Sequence, residues 1–339
     1  MRTSLFLAAA TVLLSSSQVL RSEAQQLCNG YAALCAKTYD KVVYPTAHNA
    51  YAHPPPEGLA TNQDNDIPTQ LKDGIRGLML DAYPASNPTD VIELCHGSCK
   101  LFNGGPLADT LGAIKTFLDA NPNEVITILW ENAGKLTPAQ FESVYKTAGV
   151  SDYLYTQPSG TTAWPTLAEM ISSGKRLVNF VDSGADASVP WLMAEYDFIF
   201  ETPWLIQKGA EYPCTVDRPK DDRKQMYVLN HFISRSLGDN TDVPQPGAAP
   251  QTNGADLVNH ANDCQSVFNQ LPSFVAVDFY EKGTVFQTIA QLNGVTWNNK
   301  LPTQPKVTSQ NGVASIKDGV NIKAMGMIAL TAALGLLTL

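Results

Sequence analysis

The sequence predicts an α/β protein, a TIM-type (β/α)8 barrel in a single domain. Three observations carry that expectation. Short apolar runs of strand length recur along the chain, and eight of them can be counted. Amphipathic stretches at helical spacing lie between several of the runs. No GxGxxG follows the first run, so a dinucleotide-binding fold loses its main support.

The eight runs are Val42–Pro45, Ile75–Leu80, Val91–Leu94, Val125–Trp130, Leu177–Val181, Phe198–Phe200, Met226–Leu229 and Phe274–Val277. Between the third and fourth, Leu107, Leu111, Ile114 and Leu118 fall on one helical face, and Asn121-Pro122 ends that helix. After the fourth, Thr137-Pro138 opens another helix, with Thr137 as N-cap and Pro138 at the first helical position. Leu237 to Gln251 is rich in Pro, Asp and Gly and reads as a long loop after the seventh run.

The two ends read as processing signals. Met1-Arg2, an apolar run from Leu5 to Leu14 and the small-residue stretch to Ala24 form a secretory signal peptide, with cleavage expected after Ala24. The last residues, from Ala324, are apolar and uncharged, preceded by a polar spacer and small residues around Gly312. That is the pattern of a GPI-attachment signal, with Gly312 (or Asn311) as the attachment residue. The tail falls short of the roughly 20 residues of a membrane span, though a plain hydrophobic tail is the alternative. The expected organisation is a signal peptide at 1–24, the barrel at 25–300, a polar linker at 301–312 and the attachment signal or tail at 313–339. The expected location is secreted and GPI-anchored at the cell surface.

Of the 339 residues, 44% are hydrophobic and 16% charged, which excludes a disordered polymer and a small disulfide-stapled scaffold. The net charge of −9 argues against gripping a phosphate backbone, so no nucleic-acid partner is expected. Six cysteines in a secreted chain suggest disulfides. Local spacing favours Cys28–Cys35 and Cys95–Cys99, which leaves Cys214–Cys264. No CxxC pair supports zinc.

Each apolar run is followed within a few residues by a polar one: His48, Asp81, His96, Glu131, Asp182, Glu201, His231 and Asp278. In a (β/α)8 barrel these C-terminal ends converge on one face, where active sites are built.

Several of these segments resemble the X domain of the phosphatidylinositol-specific phospholipases C. The resemblance rests on Tyr44-Pro45-Thr46-Ala47-His48-Asn49-Ala50-Tyr51, on Gly74 to Asp81 with its Leu-Met-Leu-Asp end, on Leu94-Cys95-His96-Gly97, and on Glu124 to Asn132. Val277-Asp278-Phe279-Tyr280 follows more loosely. The nearest likeness is to the secreted, often GPI-anchored phospholipase C-like phosphodiesterases of fungi and plants. The resemblance implies that His48 is the general base and His96 the general acid of phosphodiester cleavage, with Asp278 orienting His48. Two groups titrating near neutrality suit that chemistry. It also implies a divalent cation, Ca2+ or Mg2+, on Asn49, Asp81 and Glu131, all oxygen donors as a hard cation requires. Met79 stands where the family's fourth ligand would be, and no arginine occupies the position that replaces the metal in bacterial members.

Arg76 is a candidate for reaching a phosphate, with an ion pair at the start of the second run as its alternative. Trp204 is a candidate for lining the substrate pocket, and His53 and His260 are expected at the surface. The implied partner is a phospholipid or other phosphodiester at a membrane surface, acted on by a monomer. Two further readings stay open. One is a non-catalytic barrel that binds a phosphorylated lipid or glycan. The other is a glycoside hydrolase with Glu131 and Glu201 across a sugar.

Overall fold

The computed structural model describes residues 26–55, 60–85, 92–207, 209–236 and 242–304. The signal peptide and the GPI signal with Gly312 lie outside the described residues.

The chain opens with β1 (Tyr44–Ala47), α1 (Ile67–Asp73), β2 (Gly77–Pro84), β3 (Ile92–Cys95), β4 (Asn103–Pro106) and α2 (Leu107–Ala120). Then come β5 (Ile126–Glu131), α3 (Pro138–Ala148), α4 (Leu167–Ser173), β6 (Leu177–Val181), β7 (Leu192–Ala194), the single turn α5 (Glu195–Phe198) and β8 (Ile199–Glu201). The rest is β9 (Met226–Asn230), the small pair β10 (Ser234–Ser236) and β11 (Asp242–Pro244), α6 (Ala249–Gln251), α7 (Leu257–Phe268), β12 (Phe274–Val277) and α8 (Val285–Leu292).

Eight strands form one parallel sheet in the order β7-β6-β5-β2-β1-β12-β9-β8. Among the described residues no ladder joins β7 to β8, so the sheet is mostly parallel and open at that seam. The expected closed barrel therefore stands only as far as seven parallel ladders carry it.

One expected strand is misplaced. The described part of the run Val91–Leu94, from Ile92 on, is not a member of the parallel sheet. It becomes β3, antiparallel to the overhanging end of β2, with Ala82 opposite Leu94. The connection from β2 is too short for the dozen or more residues that a parallel crossover requires. The eighth parallel strand is instead β7, whose three residues gave no periodic signal.

Strand alternation sorts the side chains. On β5, Ile126, Ile128 and Trp130 pack outward among Leu111, Ile114 and Phe141. Val125 and Leu129 point inward with Tyr44, Phe180 and Phe274. Gly77 faces Thr46 across β1 and β2. A methyl group there would meet Thr46 Cγ2 at 2.8 Å, so only glycine lets the two strands approach.

The helices follow local rules. Thr137 Oγ1 accepts from Gln140 N at 3.4 Å and Gln140 Oε1 accepts from Thr137 N at 2.8 Å, the reciprocal cap that starts α3. The other end of α2 is fastened by Arg176, whose guanidinium donates to the carbonyls of Leu118, Asn121 and Glu124.

Candidate active site

The inward parity of each strand continues into the residue that follows it. It brings His48, Asp81, Glu131, Asp182, Glu201, Asn230 and Asp278 to one cavity of about 440 Å³. β3 and the loop after it add His96 from the side. A larger cavity, about 720 Å³, lies where Arg76 and Glu124 enter the sheet; no histidine and no strand-end carboxylate lines it.

His48 Nδ1 lies 2.8 Å from Asp278 Oδ1, so the Nδ1 proton is donated to the carboxylate and Nε2 is left to accept. Asn62 Nδ2 donates to the same Asp278 oxygen at 3.0 Å and holds it in place. His96 Nδ1 donates to the Ala60 carbonyl at 2.8 Å, which fixes the opposite ring nitrogen as the reactive one. Burial, foremost, pushes the His96 pKa down. Asn49 Nδ2 stands 3.4 Å from His96 Nε2 and donates to Asn62 Oδ1 at 3.3 Å. Asn49 and Asn62 thus link the two histidines through one network. Asn49 sits in the left-handed region at φ 44°, a conformation asparagine tolerates better than most residues.

The far wall is acidic. Asp81 and Glu131 are register partners on β2 and β5. Burial first, and then Glu131, holds the Asp81 carboxyl well above the usual carboxylate range. Burial raises Glu131 too, while Arg218 works against that rise. Arg218 donates from Nη2 to Glu201 Oε2 at 2.8 Å, and Asn230 and Tyr196 also donate to Glu201. Asp81 makes no ion pair among the described residues. Asp81 and Glu131, adjacent across β2 and β5, line the cavity together with Asn49 and offer hard oxygen donors, which fit a divalent cation. Met79 lines the same cavity, and its thioether adds nothing for such an ion.

A family model for PI-PLC X matches residues 34–293. The chain belongs to the PI-PLC X family. It is 33% identical over 302 residues to a PI-PLC X domain-containing protein of Arthroderma benhamiae, covering 86% of this chain and 97% of the relative. It is 35% identical over 293 residues to an uncharacterized secreted protein of the same fungus, covering 80% of this chain. The match spans only 65% of that relative's length. Among solved structures, a phosphatidylinositol-specific phospholipase C of Listeria monocytogenes aligns with a TM-score of 0.51 at 19% identity, over 77% of this chain and 97% of the other. That likeness is one of fold.

Within this PI-PLC X chain, the structure gathers His48, Asn49, Asp81, His96, Glu131, Trp204 and Asp278 around one cavity. Arg76 is not among them. It sits at the start of β2, where Nε meets Glu124 at 2.7 Å and Nη1 donates to the Leu71 and Ile75 carbonyls. Its phosphate-contact role is corrected to an ion pair at the opposite end of the sheet. His231 follows the inward Asn230 and so points outward, against α7. His260, expected at the surface, is buried beside it. The three disulfides join Cys28 to Cys35, Cys95 to Cys99 and Cys214 to Cys264.

Four lining or supporting residues carried no sequence signal: Asn62, Glu195, Arg218 and Phe232. Arg218 and Glu195 lie in connections on either side of β8, where position after a strand was the only available clue. Asn62 belongs to the connection between β1 and α1.

The outward histidine pair predicts an acid limit to stability. His231 Nε2 donates to the Thr252 carbonyl at 2.7 Å, so its Nδ1 accepts from His260 Nδ1 at 2.9 Å. Both rings are therefore neutral. Burial lowers His231 to about 4 and His260, with His231 adding to the effect, to about 3. Below the unfolded value near 6.5 the unfolded chain takes up protons that the fold refuses. Stability is full above that pH and is lost as pH falls towards 4 and then 3, at roughly 1.4 kcal/mol per pH unit for each ring. Urea denaturation between pH 7 and pH 4 measures it. His260→Leu is expected to flatten the slope by about one proton.

Proposed function

We propose that this chain is an extracellular phosphoric diester hydrolase of the phosphatidylinositol-specific phospholipase C type. It cleaves a phosphodiester of an inositol lipid or a related substrate by histidine acid–base catalysis with a divalent cation, on a TIM-type barrel. The observation that carries the reading is the pair of histidines on one cavity, each with Nδ1 held by an oxygen acceptor.

The residues divide the work. His48 Nε2 takes the proton of the attacking hydroxyl as its oxygen bonds to phosphorus, and Asp278 stabilises the imidazolium that forms. His96, protonated on Nε2, gives that proton to the leaving oxygen as the other P–O bond breaks. An anionic phosphodiester entering the cavity opposes the burial that lowers the His96 pKa. The neighbouring inositol hydroxyl is the nucleophile in the first step and water in the second. Asn49, Asp81 and Glu131 would hold Ca2+ or Mg2+, which neutralises charge on the phosphoryl oxygens.

The rim suits a membrane partner. Leu101 is 54% exposed and Trp204 43%, and both line the mouth of the cavity, with exposed Leu205 next in the chain. A secreted monomer tethered through Gly312 would work at such a surface, and a relative named as a secreted protein agrees with export. The glycoside-hydrolase reading loses its second carboxylate, because three donors already occupy Glu201. A non-catalytic lipid-binding barrel is favoured by one observation, Met79 in the cavity.

The test is release of headgroup from phosphatidylinositol, a GPI-anchored reporter and glycerophosphoinositol, each with Ca2+, with Mg2+ and with chelator. Turnover that chelator abolishes and either cation restores is the expected result. Turnover indifferent to chelator would remove the cation from the mechanism. No turnover with retained binding to phosphatidylinositol vesicles would favour the non-catalytic reading.

A further inference from the structure

Behind His48 lies an arrangement that the acid–base scheme does not use. The Phe232 ring stacks on the imidazole of His48, with centroids 3.7 Å apart and planes 3° from parallel. Phe232 is buried and lines the cavity, yet it offers no polar atom to a substrate. Its neighbour His231 turns the other way and is locked between the Thr252 carbonyl and His260. The Tyr212 ring covers both histidines, at 4.3 Å from His231 and 5.0 Å from His260. A ring nitrogen of His260 and the sulfurs of Cys214 and Cys264 all lie within 4.8 Å of one another. The disulfide between those cysteines ties the loop carrying Tyr212 to α7, which carries His260 one turn before Cys264.

We propose that Phe232 is a positioning residue for His48, and that the Cys214–Cys264 disulfide holds it in place through the buried His231–His260 pair. The inference rests on the reading of His48 as the catalytic base, but its geometry stands apart from any activity. Asp278 fixes one in-plane direction of the imidazole through Nδ1. A hydrogen bond along one edge leaves the ring free to rock about that line. A flat aromatic face against the imidazole removes that freedom and aims Nε2 at the cavity. Adjacent residues pointing to opposite sides act as a pin: His231 cannot release without shifting Phe232.

The experiment uses the full protein in two arms. In the first, the ring protons of His48 are observed by NMR in wild type, Phe232→Leu and Phe232→Tyr. The wild-type signals are expected to carry the upfield shift of protons held over an aromatic face. Phe232→Leu loses it and Phe232→Tyr keeps it. In the second, headgroup release is expected to fall about tenfold in kcat for Phe232→Leu with KM nearly unchanged, and to return with Phe232→Tyr. The disulfide is tested by Cys214→Ser with Cys264→Ser, and by His260→Leu with the disulfide in place, which covers failure of the double variant to fold. Both are expected to weaken the same upfield shift.

An unchanged His48 signal in Phe232→Leu overturns the positioning role, whether or not the protein is active. Retention of the full shift in folded His260→Leu overturns the link to the disulfide. Loss of the NMR shift with no turnover in wild type supports the positioning and leaves the failure with the assigned reaction.

Discussion

Replacing His48 by alanine is expected to lower kcat for phosphodiester cleavage by about 10²–10⁴, and His96→Ala by a similar factor. The two losses have different chemistry. Without His48 the attacking hydroxyl loses its acceptor, and Asp278 lies buried with Asn62 as a donor. Without His96 the leaving oxygen departs without its proton, so the loss shrinks for substrates whose leaving group is a weaker base. Comparing a lipid substrate with a nitrophenyl-type ester separates the two roles. His48→Ala falls on both substrates, and His96→Ala falls chiefly on the lipid. Equal losses of both variants on both substrates would contradict the assignment.

The second large effect concerns stability. Arg218→Met is expected to destabilise the fold by about 3–5 kcal/mol, because it leaves a buried carboxylate without its partner. Glu201 is 3% exposed at its side chain and receives the Arg218 guanidinium. Glu195 is buried beside Glu201, and burial, with Glu201 next, holds its carboxyl well above the usual range. Despite burial, these carboxylates raise the Arg218 pKa and keep it charged. The double variant Arg218→Met with Glu201→Gln is expected to recover much of the loss, since it removes the orphaned charge as well. Thermal and urea denaturation of the single and double variants measure both effects. A single variant within about 0.5 kcal/mol of wild type would mean that solvent, not Arg218, satisfies Glu201.

The α/β class with a mostly parallel sheet was legible because short apolar runs recur with amphipathic helical stretches between several of them, while closure of the barrel was not. Leu78, Leu80 and Ala82 go outward and Met79 and Asp81 inward, so a reader of the sequence can place Asp81 in the cavity. The same parity, applied to Met226, Val228 and Asn230, puts Asn230 inside and His231 outside. Counting polar residues after strands without their parity therefore counted His231 wrongly. The strand at Val91–Leu94 misled for another reason: composition marks a strand but does not give its direction, and the short connection after β2 decided that. The disulfides were readable from spacing, because two pairs close short loops and the third takes the remainder.

What the sequence hid lies in irregular connections. Arg218 reaches the cavity from a long segment between β8 and β9, held by a bridge to Glu201 and by the nearby Cys214. Nothing periodic points there. Arg76, by contrast, looked available because arginine suits phosphate, but its place before β2 puts it at the entry end of the strand. Position along the strand overrules residue type.

The central claim is that His48 and His96 act together on a phosphodiester in this cavity. The most direct measurement is ³¹P NMR of phosphatidylinositol vesicles incubated with wild type, His48→Ala and His96→Ala in the presence of Ca2+. The account predicts conversion of the phosphodiester to a water-soluble inositol phosphate by wild type, and none by either variant over the same time. Conversion at an undiminished rate by both variants would contradict it.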